Sequence, residues 1–325
     1  MNAPAPYQLE TVGCPLCGSL RQKRVYERPD YTHGVTNHWF TVVRCTNCGF
    51  AFVNPRPTES SIHAWYPDEF YDVNVKPEQL LHEKADVLRG KLKLVGGGPP
   101  GRVLDVGCQK GEFLEVMRRR GWDVEGVEFS DRPPNVFGLP MFRGRLEDAP
   151  FAPGSFDLIT LWAVLEHVHN PIRVLTTVAR LLKKSGRALV LVPNFNSIPA
   201  RLLQHDDVPR HLLMFTTSTL SRAARDAGLV VRGFHFGDDI FSGSTRGVLN
   251  YLWKLANGER LRDIVAQNRE PGRWNDFACC LNGKQDGSML KVDRLDIRLT
   301  PYLDRLVNAL HRGFIMTADL RLARG

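Results

Sequence analysis

The chain has 325 residues, 43% of them hydrophobic, which is ample for a full α/β domain with an accessory module and excludes a disordered or fibrous protein. Its formal charge is +8, spread as 11 basic and 10 acidic side chains in residues 1–98, 18 and 16 in 99–239, and 14 and 9 in 240–325. The excess at the carboxyl end suits an anionic substrate or a membrane surface, although a solvated basic face is the simpler reading.

The opening MNAPAPYQLE lacks a basic segment followed by an apolar one, and no apolar run reaches the roughly 18 residues of a spanning helix. The expectation is a cytoplasmic protein without a transmembrane segment. Seven cysteines do not form an even set, and four of them make two tight pairs that suit a metal better than a disulfide framework.

Three sections follow in chain order. Residues 1–57 are rich in turns and carry Cys14, Cys17, Cys45 and Cys48, spaced C-x2-C and C-x2-C with each pair beside a turn glycine. Two such knuckles close a tetrahedral site of four thiolates with no open position, so a bound zinc ion would be structural and the section a zinc ribbon. The gap between the pairs is longer than the common one of roughly 15–20 residues and fits a longer hairpin. Residues 58–100 form a connecting helical segment, with apolar Leu80, Leu81, Val87 and Leu88, ending at Gly96-Gly97-Gly98-Pro99-Pro100.

From residue 101 to 325 strands and helices alternate as a parallel α/β sheet requires. The spacing predicts strands over 103–106, 123–128, 156–162, 187–192 and 229–236, and a last one over 314–322. Helices are predicted over 112–120, from Pro171 through Lys183 and Lys184 to a stop at Gly186, and over 217–227. A helical insertion at about 240–310 breaks this rhythm. Val248, Tyr251, Leu252 and Leu255 repeat at helical spacing, as do Leu303, Leu306, Val307 and Leu310, the latter opened by Thr300-Pro301. Both helices are expected to cover the site.

The sharpest local signal is VLDVGCQKGEFL, residues 103–114, a strand turning through Gly107 and Gly111 into a helix. Glycines let the backbone approach a ligand, and the helix start offers N–H groups. Asp105 just before the bend and the four-residue glycine spacing argue against the dinucleotide fingerprint. Glu128, at the end of the next strand, is placed to accept both hydroxyls of a ribose.

From about residue 40 to its end the chain resembles the class I S-adenosylmethionine-dependent methyltransferases, in particular a bacterial group with a zinc ribbon ahead of the catalytic domain. The stretches that carry the resemblance are RCTNCGFAFVNPRP, YPDEFY, VLDVGCQKGEFL, VEGVEFS, LEDAPFAPGSFDLITLWAVLEHVHNP, LLKKSGRALVLVPN and RHLLMFTTSTL. The resemblance implies a Rossmann-like sheet with helices on both faces and S-adenosylmethionine as cofactor. Asp105, Gly107, Cys108 and Gly111 would form the turn against it, Glu128 would hold the ribose, Phe129 would lie beside the adenine, Leu146 and Glu147 would contact the adenine, and Trp162 and Ala163 would wall the methionine part. Gln109 stands where the family often has a third glycine, a substitution expected to be tolerated if the backbone angles there are ordinary.

Methyl transfer from a sulfonium is an in-line displacement, so the protein aligns the acceptor and removes its proton where required. His167, in the LEHV segment after a strand, and His211, in RHLLMFT before a helix, are the candidate bases. His205-Asp206-Asp207 reads more simply as a polar loop than as a second metal site, and Cys108, Cys279 and Cys280 as buried thiols outside any ligand spacing. The leading function is O-methylation of a small-molecule, sugar-containing or lipid-linked biosynthetic intermediate, with a glycolipid-type acceptor as partner. An RNA methyltransferase using the ribbon to hold nucleic acid ranks lower, because the basic excess lies elsewhere. A scaffold that keeps the fold without the chemistry ranks lower again. Neither the acceptor nor the oligomeric state is written in the sequence.

Overall fold

The computed structural model describes residues 7–30, 32–66, 76–203, 206–237, 240–241, 245–260 and 287–323. The chain gathers into two compact units. One takes Met1–Pro67, Pro193–Met214 and Phe236–Ile315, the other Asp68–Val192, Phe215–His235 and Met316–Gly325.

The first unit begins with five strands, β1 (Leu9–Glu10), β2 (Gln22–Pro29), β3 (Trp39–Cys45), β4 (Ala51–Val53) and β5 (Arg56–Pro57). β2 and β3 form an antiparallel hairpin, β4 adds antiparallel to β3, and β1 pairs antiparallel with β5. One face of this small sheet is aromatic: Phe40 lies edge-on to Trp65 with ring centroids 5.2 Å apart, and Trp65 meets Tyr7 at 4.8 Å. Phe40, Phe50, Phe52 and Trp65 are all buried, and the register puts Phe40 and Phe52 on opposite faces, so the small sheet is covered on both sides.

The second unit holds α1 (Pro77–Glu83), α2 (Ala85–Val95), β6 (Arg102–Val106), α3 (Glu112–Arg119), β7 (Asp123–Glu128), β8 (Met141–Arg143), β9 (Phe156–Trp162), α4 (Pro171–Leu181) and β10 (Leu182–Pro193). It is completed by α6 (Thr217–Asp226), β12 (Leu229–Phe236) and β13 (Ile315–Leu322). Its seven strands run in the order β12-β13-β10-β9-β6-β7-β8. Numbered within the sheet this is 3-2-1-4-5-7-6, the Rossmann order with the last strand inserted between the fifth and sixth. The pairs β8–β7, β7–β6, β6–β9 and β9–β10 are parallel. From β6 the chain steps one way to β7 and β8, then returns to β9 and steps the other way to β10. Right-handed crossovers therefore place α3 and α4 on opposite faces, and the step between β6 and β9 is the switch point where ligands of such sheets bind.

Local chemistry sets the helix ends. Asn170 accepts the Arg173 N–H at 3.0 Å ahead of Pro171, and Thr216 and Thr219 cap α6 reciprocally. The central strands are nearly continuous apolar runs, as strands buried on both faces must be, with Leu158, Ile159 and Leu161 of β9 and Val190, Leu191 and Val192 of β10 all buried.

The predicted end of α4 needs correction. The helix stops at Leu181, and Lys183, Lys184 and Gly186 lie in β10, where the register against β9 shifts between Leu182 and Arg187. Lys183 is drawn to Asp157 at 2.7 Å, and a Cβ on Gly186 would stand 2.8 Å from the Phe156 carbonyl oxygen, so the glycine serves a close strand approach rather than a helix stop.

The first unit is completed by α5 (Ile198–Leu203), β11 (Leu213–Met214), α7 (Val248–Ala256) and a helix labelled α8 (Gly287–Ala309). β11 pairs antiparallel with β4, so the small sheet runs β11-β4-β3-β2. α8 does not open at Thr300-Pro301 as predicted; Pro301 sits in its interior. The turn before Pro301 is fixed from outside the helix, because Asp296 accepts the Gly247 and Leu249 N–H groups at 2.6 and 2.9 Å. The exposed ring removes one hydrogen bond on the solvent side. Among the described residues no helix is long and apolar enough to cross a membrane.

Candidate functional site

The site is built on two neighbouring strand ends. Asp105, one residue from the end of β6, is 2% exposed and accepts the Thr160 hydroxyl of β9 at 2.5 Å. Burial pushes its carboxyl up to about 7, against the pull of Lys91 and the Thr160 hydroxyl. Glu128 ends β7, with one oxygen accepting the Gln109 N–H and the other the Ser130 N–H, each at 2.9 Å. A carboxylate oxygen has two lone pairs, so each keeps one for a further donor. Burial raises this carboxyl too, opposed by those two amides.

The bend between β6 and α3 is held from within. The Gly107 and Cys108 N–H groups donate to the Val127 carbonyl at 2.7 and 3.1 Å, and Gly111 donates to the Cys108 carbonyl at 2.9 Å. These amides shape the bend rather than face outward, which leaves the first turn of α3, where Gly111 makes no side-chain cap, to offer N–H groups. Gly107 has φ 73°, and a Cβ there would lie 2.5 Å from Val164 Cγ2. Gln109 has φ 50°, so its backbone is left-handed and not ordinary; the position is strained for a side chain, and the expectation of ordinary angles is corrected. Cys108 is buried with its sulfur where a Cβ on Gly126 would stand, so only its main chain borders the bend.

Around this bend Phe129 is 53% exposed directly after Glu128, an unusual position for a phenyl ring in water. Leu146 is buried in a short 3-10 turn, and Glu147 beside it meets Arg173 at 3.6 Å. Trp162 ends β9 edge-on to Phe113 at 5.5 Å, and Ala163 after it has φ 57°, a second left-handed non-glycine at a strand end. Lys91 of α2 places its ammonium 5.4 Å from the Phe113 ring centre and 5.5 Å from that of Trp162. Burial lowers the Lys91 pKa, and Asp105 and Glu112 oppose that shift. Among the described residues, buried Glu112 Oε2 and Trp162 Nε1 meet no hydrogen-bond partner.

A methyltransferase-domain family profile matches residues 80–232. The chain is 30% identical over 167 residues to the ubiquinone biosynthesis O-methyltransferase of Xanthomonas campestris pv. campestris, covering 45% of this chain and 67% of that enzyme. The chain belongs to the class I S-adenosylmethionine-dependent methyltransferases. The ubiquinone biosynthesis O-methyltransferase of Pseudomonas aeruginosa is 28% identical over 239 residues, 65% of this chain and 94% of the relative. That of Dechloromonas aromatica is 39% identical over 105 residues, 29% and 45%. Among solved structures the chain is similar to S-adenosylmethionine-dependent methyltransferases from Mesorhizobium loti, at 14% identity and TM-score 0.43 over 71% of this chain and 95% of that one, and from Thermotoga maritima, at 23% and 0.39 over 50% and 81%.

The methyltransferase's cofactor carries a sulfonium and an ammonium against one carboxylate. The residues at the bend fit it: carboxylates of Asp105, Glu112 and Glu128 outnumber the cations Lys91 and Arg143 that act on them, and two buried polar atoms stand without partners. Lys91 and Glu112 are absent from the residues singled out by sequence. Lys91 sits 16 residues before Gly107, in a separate helix, where only its place in an amphipathic pattern is legible; Glu112 reads simply as an acid in a first helical turn.

The methyltransferase's cysteines converge. Cys14 and Cys48 sulfurs lie 3.4 Å apart, Cys17 and Cys45 3.6 Å, and all four within 4.8 Å of one another. Four zinc–sulfur bonds of about 2.3 Å in a tetrahedron set the sulfurs about 3.8 Å apart, close to these distances and far beyond a disulfide. Gly18 and Gly49 close the two knuckles with φ 70° and 77°, and Asn47 Nδ2 reaches Cys17 Sγ at 3.5 Å. The residues fit a zinc ion.

Of the candidate bases, His167 follows β9 in the second unit, half-buried, its N–H bonded to the Val164 carbonyl at 3.0 Å. His211 precedes β11 in the first unit, and its Nδ1 accepts the Asp207 N–H at 3.3 Å. That bond puts the proton of a neutral ring on Nε2. Asp206 accepts the Tyr26 hydroxyl at 2.6 Å and Asp207 is held by Arg210, so both acids are committed within the protein. His205, Cys279 and Cys280 lie outside the described residues.

Proposed function

We propose that this methyltransferase transfers the methyl group of S-adenosylmethionine to a hydroxyl of a small-molecule biosynthetic intermediate, sugar-containing or lipid-linked. The relatives named as O-methyltransferases support oxygen as the acceptor atom. The single observation that carries the cofactor side is the pair of buried carboxylates, Asp105 and Glu128, at the ends of the adjacent parallel strands β6 and β7, of which β6 borders the switch point.

In this reading Glu128 accepts the ribose hydroxyls with its remaining lone pairs, Phe129 offers its exposed ring to the adenine, and the segment Leu146-Glu147 borders the base. Asp105, Gly107, Cys108 and Gly111 shape the bend, Lys91 neutralises the cofactor's carboxylate, and Trp162 and Ala163 wall the methionine part. The cofactor, when bound, supplies the electrophilic methyl group. The protein's remaining tasks are to exclude water, align the acceptor oxygen and take its proton. His167 takes the proton: it follows β9 a few residues after Trp162 and Ala163, in the same unit as the carboxylates of the bend. A zinc ion held by Cys14, Cys17, Cys45 and Cys48 has only a structural part, since four thiolates leave no open position.

An RNA acceptor has less support: of the ribbon aromatics, Phe40 is buried and offers no face to a base, and the Tyr26 hydroxyl is committed to Asp206. The test is incubation of a cell extract with methyl-labelled cofactor and identification of the labelled product by mass spectrometry. Calorimetry would then show cofactor binding weakened by Asp105→Ala and Glu128→Ala, on the order of tenfold or more for each lost charged acceptor. His167→Ala spares that binding and slows turnover about a hundredfold or more. Full turnover by His167→Ala with the identified acceptor sinks the assignment of the base.

A further inference from the structure

Helices α7 and α8 of the first unit are turned inside out relative to an ordinary amphipathic pair. On α8 the inward residues are Asp296, Thr300 and Asp304 together with Val307, and on α7 Asn250 and Lys254 together with Val248, all buried. The polar groups are inside for a reason: Asp296 accepts the Gly247 and Leu249 N–H groups at the start of α7, and Asp304 accepts that of Thr245 at 2.9 Å.

The apolar side chains go out instead. Leu295, Leu299, Tyr302, Leu306 and Leu310 are 51%, 37%, 67%, 56% and 58% exposed, and their three- and four-residue spacing lines them into one stripe about four turns long. At about 100° per residue Arg294, Arg298 and Arg305, all exposed, form a second row along one side of that stripe. The acids of the same stretch, Asp293, Asp296 and Asp304, are buried or half-buried, so the outward face carries arginines and no exposed carboxylate between residues 292 and 312.

We propose that this face of α8 rests on an anionic phospholipid surface, with the leucine and tyrosine stripe entering the acyl boundary and the arginine row reaching the phosphates. An apolar stripe beside a basic row is what an interfacial helix requires, because long arginine stems lie along apolar matter while their heads stay with charge. A second copy of the chain fits less well. An antiparallel twofold contact would set the arginine row against itself, and a parallel one would leave it with no exposed acid of that face to pair with. The proposal does not depend on the identity of the methyl acceptor.

Flotation of the full-length chain with vesicles of phosphatidylcholine, alone and with about a third phosphatidylglycerol, tests it. The expected result is binding to the anionic vesicles only, weakened by added salt. Arg298→Gln with Arg305→Gln lowers the partition about 30-fold, and Leu306→Glu abolishes it. Both changes are on exposed side chains, so circular dichroism and melting stay as in the unaltered chain. Absence of binding to either vesicle, binding equal on both, binding that survives both variants, or a dimer in sedimentation that Leu306→Glu splits without any vesicle binding would each overturn it.

Discussion

Asp105 shows how a single residue reports on the site. Its carboxyl is pushed up to about 7 because burial outweighs Lys91 and Thr160, so in the free protein it is largely protonated below that pH. A cationic ligand favours the ionised form, which means the complex binds fewer protons than the free protein. Cofactor affinity therefore rises with pH up to about 7 and levels off above it, and binding near pH 6 releases a proton. Calorimetry in buffers of different ionisation enthalpy measures this release. Proton uptake, or a pH dependence unchanged in Asp105→Asn, would contradict the role given to the carboxylate. Asp105 and Glu128 were legible as strand-end acids, and Gly107 as a glycine needed for close approach. Gln109 was not, since a left-handed backbone at a glutamine is set by the hydrogen bond from its own N–H to Glu128, a contact across 19 residues.

At the level of elements, the two cysteine knuckles and the β2–β3 hairpin between them form one device. Cys45 is the last residue of β3 and donates its N–H to the Phe50 carbonyl at 2.8 Å, so the second knuckle continues directly into β4. The chain is expected to carry one zinc per molecule by elemental analysis. Cys45→Ser should lose it, and chelation should make the segment between the knuckles sensitive to protease, because four thiolates held this close without an ion are costly to bury. A metal-free preparation equally resistant to protease would count against the ribbon. The strand and helix spans of the α/β part were readable from apolar runs and glycine stops. The end of α4 was not, because Lys183 and Gly186 answer to Asp157 and the Phe156 carbonyl on a neighbouring strand.

For the whole molecule, the first unit is assembled from segments far apart in the chain, and one buried cation ties them. Arg210 is fully buried; it pairs with Asp30 at 2.7 and 3.0 Å, with Asp207 at 2.5 Å and with the Trp65 carbonyl at 2.9 Å. The Arg210 charge holds Asp30 below the usual carboxylate range, although burial alone would raise it, and holds Asp207 further below. Removing one partner leaves the guanidinium underpaired in a dry interior, so Asp30→Ala is expected to cost about 3–5 kcal/mol of stability in urea denaturation. The sign with pH follows from the depressed carboxyls: the contribution is complete above about pH 4 and is lost as acid protonates them. A loss below 1 kcal/mol would mean that water reaches the cluster.

Short-range physics is written directly into the chain: the alternation of strands and helices, the glycine bend with its two acids, and four ligands at metal spacing. Each depends on neighbours within a turn or a strand. Contacts between segments far apart in the chain are what set the last strand between β10 and β12, complete the small sheet with Leu213–Met214, and bring Lys91 to the acids at the bend. They also decide that Leu306 and Leu310 face out while Val307 faces in. Periodicity announces a helix with an apolar stripe, but which stripe is buried depends on the partner surface, and in α8 the start of α7 claims the acids and turns the leucines to the outside.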